Sequence, residues 1–357
     1  MREASPATGI RWLLDTEHGS RERFLPRWIF LRALGLIYFS AFFPLVFQIR
    51  GLIGANGIFP AREYLDAASR AFGPSRFLLT PTLLWVRSGN RALMALCFVG
   101  MIASVLVVLN LWPRGTLLIS FICYLSFIAA AGEFAAYQSD GMLLEAGFLA
   151  MFFAPRGWRP GWGEKSPPLR LAYFLLQWEW LRIYFESGIG KLLSHDPHWR
   201  NFSAMDDYYQ NGPLPTWIGW YAQHLPHWFH AITVALTLGL EIGLIWMFLL
   251  PRRFRIILFF IVTPWEIGII LTANYTFLNY LVLSLGFLLL DDQFCAQFLP
   301  AISKQRFAER VAAAGVAQSS PNEAQGSARR PSFYEEFRPH LNAFKLAVIG
   351  VTLGWVF

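Results

Sequence analysis

Apolar stretches close to the length of a membrane-spanning helix recur from one end of this chain to the other. Nothing else in the sequence restricts its fold as strongly. A helix rises 1.5 Å per residue, so about 20 residues cross the roughly 30 Å hydrocarbon core of a bilayer. Such stretches fall at 28–49, 92–112, 115–135, 141–154, 169–193, 228–250, 256–272, 275–290 and 341–357. The fourth and seventh are short. Composition agrees where it matters: 55% of the 357 residues are hydrophobic and 15% are charged, against roughly 25% charged in a soluble domain. Too little polar surface exists to cover such a chain in water. The expected fold class is all-α, a polytopic transmembrane helical bundle with about nine membrane helices. Disordered, fibrous and ordinary cytosolic classes are excluded.

The net charge of +7 comes from residues that fall mostly between the apolar stretches. Loops and lipid headgroups explain them, so the lipid bilayer is the expected partner and nucleic acid is not. Basic residues favour the cytoplasmic side. Residues 1–27, with Arg2, Arg11, Arg21, Arg23 and Arg27, are then a cytoplasmic N-terminal segment. Strict alternation places Arg114, the stretch 156–170 and the cluster Arg252, Arg253 and Arg255 on that same side. The 194–226 loop, with Arg200 against Asp196, Asp206 and Asp207, falls outside as an extracytoplasmic loop. One connection resists: 50–91 holds six arginines yet is assigned outside. Its glycines and Pro60, followed by an amphipathic 61–72, read as a turn and an interfacial helix.

The domain plan is thus a transmembrane bundle over 28–292, a cytoplasmic and partly disordered linker over 293–340, and a last transmembrane helix over 341–357. The disorder is expected at 312–330, which is small, polar and aperiodic. The final helix lacks a flanking anchor, from which we expect a C-terminal extramembrane domain to be missing from this chain. The N-terminus does not read as a cleavable signal. Without a visible retention signal, a bacterial cytoplasmic membrane is expected, and the endoplasmic reticulum membrane if the source is eukaryotic.

Charged residues inside the apolar stretches are the candidates for function, because each costs at least about 2.5–3.5 kcal/mol at the bilayer centre. They are Glu133, Asp140, Glu145, Glu179, Arg182, Glu186, Lys191, Glu241 and Glu266. On an ideal helix Glu179, Arg182 and Glu186 lie within about 60° of one another, and Arg182 and Glu186 are spaced as an i, i+4 pair. Either a structural ion-pair network or the polar lining of a membrane cavity fits that stripe. Lys191 stands apart, about 140° from Glu186. It is either a snorkelling residue at a helix end or an amine shielded from water and able to act as a base. Five of the seven histidines lie in or beside 194–226. No third ligand stands at a recognised spacing, so no metal is expected. Phosphate-binding and dinucleotide-binding glycine motifs, the lipase nucleophile elbow and the zinc-protease motif are all missing, and no cofactor is expected.

Several motifs resemble those of the lipase maturation factor family. They include Gly57-Ile-Phe-Pro-Ala-Arg-Glu-Tyr-Leu65 and the run from Gln138 through Leu143-Leu144-Glu145 to Ala150. The strongest is Glu186-Ser-Gly-Ile-Gly-Lys-Leu192, continuing through Asp196-Pro-His-Trp199-Arg200 to Trp220-Tyr-Ala-Gln-His224. Ser139 and Gly141 depart from the family pattern. The resemblance implies a multi-pass membrane protein that assists maturation of exported proteins, a secreted lipase being the implied client. Asp196, Trp199, Arg200 and His224 would belong to its extracytoplasmic loop. Gly188-Ile-Gly-Lys191-Leu followed by Trp199 is also distantly similar to the vitamin K-dependent γ-carboxylases and related HTTM-type proteins. That second resemblance implies an alternative, a membrane enzyme acting on a quinone or lipid with Lys191 as base and Asp140 and Glu186 beside it. Glu145, Glu179, Arg182, Glu241 and Glu266 would form a membrane-buried polar network around either function.

Overall fold

A computed structural model describes residues 20–319 except 136, 213 and 214. The expected helix at 341–357, the linker beyond 319 and residues 1–19 lie outside the described residues. Twelve helices organise the rest. They are α1 (Phe24–Ile53), α2 (Ala61–Phe72), α3 (Asn90–Val108), α4 (Pro113–Ile128), α5 (Gln138–Phe153) and α6 (Arg170–Leu193). After them come α7 (Met205–Asn211), α8 (Trp217–Gln223), α9 (His227–Leu249), α10 (Arg252–Thr272), α11 (Phe277–Leu289) and α12 (Ala301–Ser319). The all-α membrane bundle is what the apolar stretches dictate.

The nine spans expected are not confirmed among the described residues. By length and apolarity α1, α3, α9 and α10 each qualify, and α11 with its continuation Asp292–Phe298, bent by 100°, makes a fifth. The helices that fall short have physical reasons to do so. At 16 residues each, α4 and α5 reach about 24 Å, below the roughly 30 Å of hydrocarbon. Length is no obstacle for α6, but Arg170, Glu179, Arg182, Glu186 and Lys191 interrupt its apolar surface. The helix α12 also alters the linker expectation, since residues 312–319 continue it rather than starting an unstructured segment.

Packing centres on α1. Gly35 and Gly100 let α1 and α3 approach so closely that a Cβ on Gly100 would lie 2.4 Å from the Phe42 ring. Tyr38, Phe42, Tyr124 and Phe127 then meet edge to face in the buried core. Tyr38 donates from its hydroxyl to the Leu143 carbonyl of α5 at 3.1 Å, so the core also carries a polar tie.

Contacts between connections sort into two ends. At the near end, where α1 begins, the buried Arg27 guanidinium donates to the carbonyls of Phe153, Trp162, Gly163 and Ser166 at 2.7–3.4 Å. Arg23 reaches the Leu290 carbonyl, and the Asp292 carboxylate accepts from the Phe24 and Leu25 amides at 3.1 and 2.6 Å. That carboxylate satisfies amides that an α-helix leaves unpaired at its start. Arg114 and Trp112 bond to Ala154 and Trp158 at this same end. At the far end Thr82 donates to the Ser126 carbonyl at 2.8 Å, and Thr216 to that of Leu271 at 2.7 Å. Each connection meets others of its own end, as an up-and-down bundle requires.

Candidate functional site

At the far end, α6 and α9 are joined through Lys191. Its Nζ donates to both carboxylate oxygens of Glu241 at 2.7 and 2.8 Å and to Ser187 Oγ, one turn back, at 2.7 Å. It also lies 5.3 Å from the centre of the Trp199 ring, within reach of a cation–π contact. Two local features produce this arrangement. Gly188 removes the side chain where α9 crosses, since a Cβ there would come within 2.9 Å of the Glu241 Cβ. A π turn at Gly239–Gly243 then interrupts α9 and carries Glu241 in its middle. Such turns insert an extra residue into the helix and are frequent at functional sites.

Around this pair lie further polar groups. Tyr184 donates to Glu266 Oε2 at 2.9 Å, linking α6 to α10. Tyr208 of α7 meets the Tyr275 hydroxyl between α10 and α11. Asp206 holds the start of α9: His227 Nδ1 and His230 Nδ1 each lie 2.9 Å from its carboxylate oxygens. His230 Nε2 points at the Ala222 carbonyl at 3.0 Å. Both nitrogens of this buried ring thus have oxygen partners. Partial burial opposes the charge on Asp206, but the hydrogen bonds from His230 and His227 prevail and hold its pKa below the usual carboxylate range.

The sequence candidates are only partly brought together. Lys191 and Glu241 meet, although their partnership spans 50 positions of sequence. Asp140 instead accepts from Tyr124 at 2.6 Å in the α4–α5 layer. Glu186 is exposed, at 4.0 Å from Arg182. Lys191 thus bonds to Glu241 and Ser187, whereas Asp140 bonds to Tyr124 and Glu186 stands beside Arg182. Arg182 pairs more closely with Glu145, at 2.5 Å, than with Glu186 on its own helix. Glu179 is fully buried on α6, and neither of its oxygens has a hydrogen-bond partner among the described residues. Glu133 lies in an exposed turn after α4. In the 194–226 loop, Asp196 caps the turn Pro197–Arg200 through the His198 amide at 2.9 Å, and Arg200 donates to the Leu192 carbonyl at 3.2 Å. His224 lies 2.8 Å from the Trp220 carbonyl. Among the described residues no group of histidines, cysteines and carboxylates could hold a metal.

Sequence reasoning missed the roles of Ser187, Tyr184 and the Asp206 clasp. The signal for Ser187 was its i, i+4 spacing from Lys191. For Asp206 it was the pairing of histidines at 227 and 230 at a helix start.

Comparison with known proteins bears on the whole bundle. A family model described as the lipase maturation factor transmembrane domain matches residues 25–297. Lipase maturation factor 2 from Gallus gallus is 35% identical over 286 residues, covering 77% of this chain and 40% of that protein. The Homo sapiens protein of that name is 36% identical over 299 residues, covering 78% of this chain and 41% of its own length. Lipase maturation factor 1 from Bos taurus is 27% identical over 285 residues, covering 78% and 51%. The chain therefore spans about two fifths of the length of the more similar relatives. These are vertebrate proteins, which gives the expected bacterial membrane no support, and none carries a carboxylase name. No solved structure matches the chain. The match begins at the second residue of α1 and runs past α11 through the turn that follows, so it takes in Arg27 and Asp292 of the near end and the Lys191–Glu241 pair: the chain belongs to the lipase maturation factor family.

Proposed function

We propose that this chain is the membrane-embedded part of a maturation factor for exported proteins, and that a secreted lipase is the client its relatives' names suggest. Family membership over the whole bundle is the observation that carries this reading. The bundle supplies a rigid base, and the far end supplies the surface offered to the export compartment. In this orientation the near end is cytoplasmic, in keeping with its basic residues. The Lys191–Glu241 pair then acts as a positioning contact: it fixes the α6–α9 crossing and, through Trp199, the first turn of the 194–226 loop.

Cells lacking their own maturation factor, transformed with a secreted lipase and the full-length protein, provide the test. Secretion of active lipase should rise above background and fall back when 194–226 is replaced by a Gly/Ser linker of equal length. Lipase activity that stays at background with the full-length protein present overturns the reading.

A further inference from the structure

Six arginines lie between Arg50 and Arg91, against two acidic residues, Glu63 and Asp66. Among the described residues, most of these charges make no ion pair or hydrogen bond with the rest of the fold. Arg76 alone is held, donating to Ser69 Oγ at 2.7 Å and lying over the Phe77 and Trp85 rings. Arg50, Arg62, Arg70, Arg87 and Arg91 are exposed, and none has an ion pair among the described residues.

The segment is nevertheless firmly attached. Ala61, Leu65 and Ala68 bury one face of α2, and Leu84 is buried further along. The Ala55 amide donates to Asn90 Oδ1 at 2.9 Å, while Thr82 and Ser126 fix the segment to the end of α4. On the outward face of α2, Arg62, Asp66 and Arg70 follow at i, i+4 and i+8. Large apolar side chains stand exposed beside them: Phe77, Leu78, Leu79, Leu83 and Val86 are 48–82% exposed. Exposed apolar side chains next to unpaired arginines, at the ends of two spans, have the composition of a surface that lies in a bilayer interface. A zwitterionic phospholipid offers a phosphate too, but no net negative charge to balance the basic excess.

We propose that residues 50–91 form a binding surface for anionic phospholipids in the leaflet at the far end, with Arg62, Arg70 and Arg87 engaging the phosphates and Phe77, Leu78 and Val86 entering the acyl region. This accounts for the one connection whose charge opposes the orientation of all the others. Arginine suits the role because its planar donor fork matches phosphate. A snorkelling guanidinium keeps its charge at the headgroup level.

Native mass spectrometry of the full chain in detergent, titrated with phosphatidylglycerol and phosphatidylcholine, tests the assignment. Each basic residue near an anionic surface changes partitioning about fivefold, so the triple variant Arg62→Gln, Arg70→Gln, Arg87→Gln should lose most of a roughly hundredfold preference. The triple Arg→Lys variant keeps the charge and should keep a preference that weakens with added salt. If the Gln variant does not fold, that salt dependence in the unaltered chain decides the matter, and a preference insensitive to salt overturns the proposal. An unchanged headgroup preference in a folded Gln variant also overturns it. If the unaltered chain shows no headgroup preference but retains an acidic polypeptide that the Gln variant releases, the surface belongs to a protein partner and the lipid assignment is wrong.

Discussion

The two ends of the bundle are closed by different chemistry. At the near end most closing bonds run from charged side chains to main-chain groups, from Arg27 and Arg23 to carbonyls and from amides to Asp292, with the side-chain pair Arg252–Asp291 beside them. At the far end the charged groups instead mainly bind other side chains, Lys191 with Glu241, Tyr184 with Glu266 and Asp206 with two histidines, while uncharged hydroxyls such as Thr82 and Thr216 reach carbonyls. A main-chain partner has no alternative rotamers and does not titrate, so in the first kind of closure only one side of each bond can move or change charge. Pairs of side chains can separate, re-pair or change charge. The difference places the rigid base at one end and the adjustable surface at the other.

The largest effect should come from the stiff end. Arg27→Leu leaves several buried carbonyls unpaired and should lower stability by about 3 kcal/mol or more. It would be read as a fall in the thermal midpoint of the purified chain in detergent. A midpoint near that of the unaltered protein would break the comparison at its base. Next comes Glu241→Ala, which strands Lys191 in a half-buried position and should cost about 2 kcal/mol. The double variant Lys191→Met, Glu241→Met should cost less than the single one. A double-mutant cycle measures this, and additive losses would mean that the pair does not couple α6 to α9.

Smaller and conditional on acidity is the Asp206 clasp. Its folded-state pKa lies below the ordinary value of about 3.9, so its contribution is complete above that value and lost as pH falls through the lower one. Hydrogen exchange in 194–226 should therefore quicken on strong acidification, and Asp206→Asn should remove that acid limb. Exchange that responds identically in both proteins would assign the loosening elsewhere. The smallest effect belongs to Glu186→Gln. The residue is exposed and 4.0 Å from Arg182, so its loss should stay within about 0.5 kcal/mol. A larger fall would mean that the stripe on α6 is structural after all.

Helices were legible in this sequence because apolar length is a local property. Their ends and partners were not. The first span starts at Phe24 rather than near residue 28, because Arg27 is buried by carbonyls from the end of α5 and from the connection that follows it. The i, i+4 rule identifies Arg182 with Glu186, yet the shorter bond goes to Glu145 on α5, since helix packing and not helix periodicity decides which carboxylate is desolvated beside it. Lys191 stood out from its motif and its place in an apolar helix. Its partner Glu241 depends on a π turn that leaves no compositional signature. The basic excess at 50–91 was visible at once as an exception. What the fold adds is that all of them but Arg76 are exposed and without an ion pair among the described residues.

One near-end contact also sets an order of events. Phe24 is synthesised long before Asp292, 268 positions later, yet Asp292 supplies the acceptor for its amide. The first helix to enter the membrane thus waits with an open end until the last described span has arrived. Its closing bonds are possible only after Asp292 has been made and brought back to the start of α1. In the growing protein, that junction of first and last is a record of completed assembly.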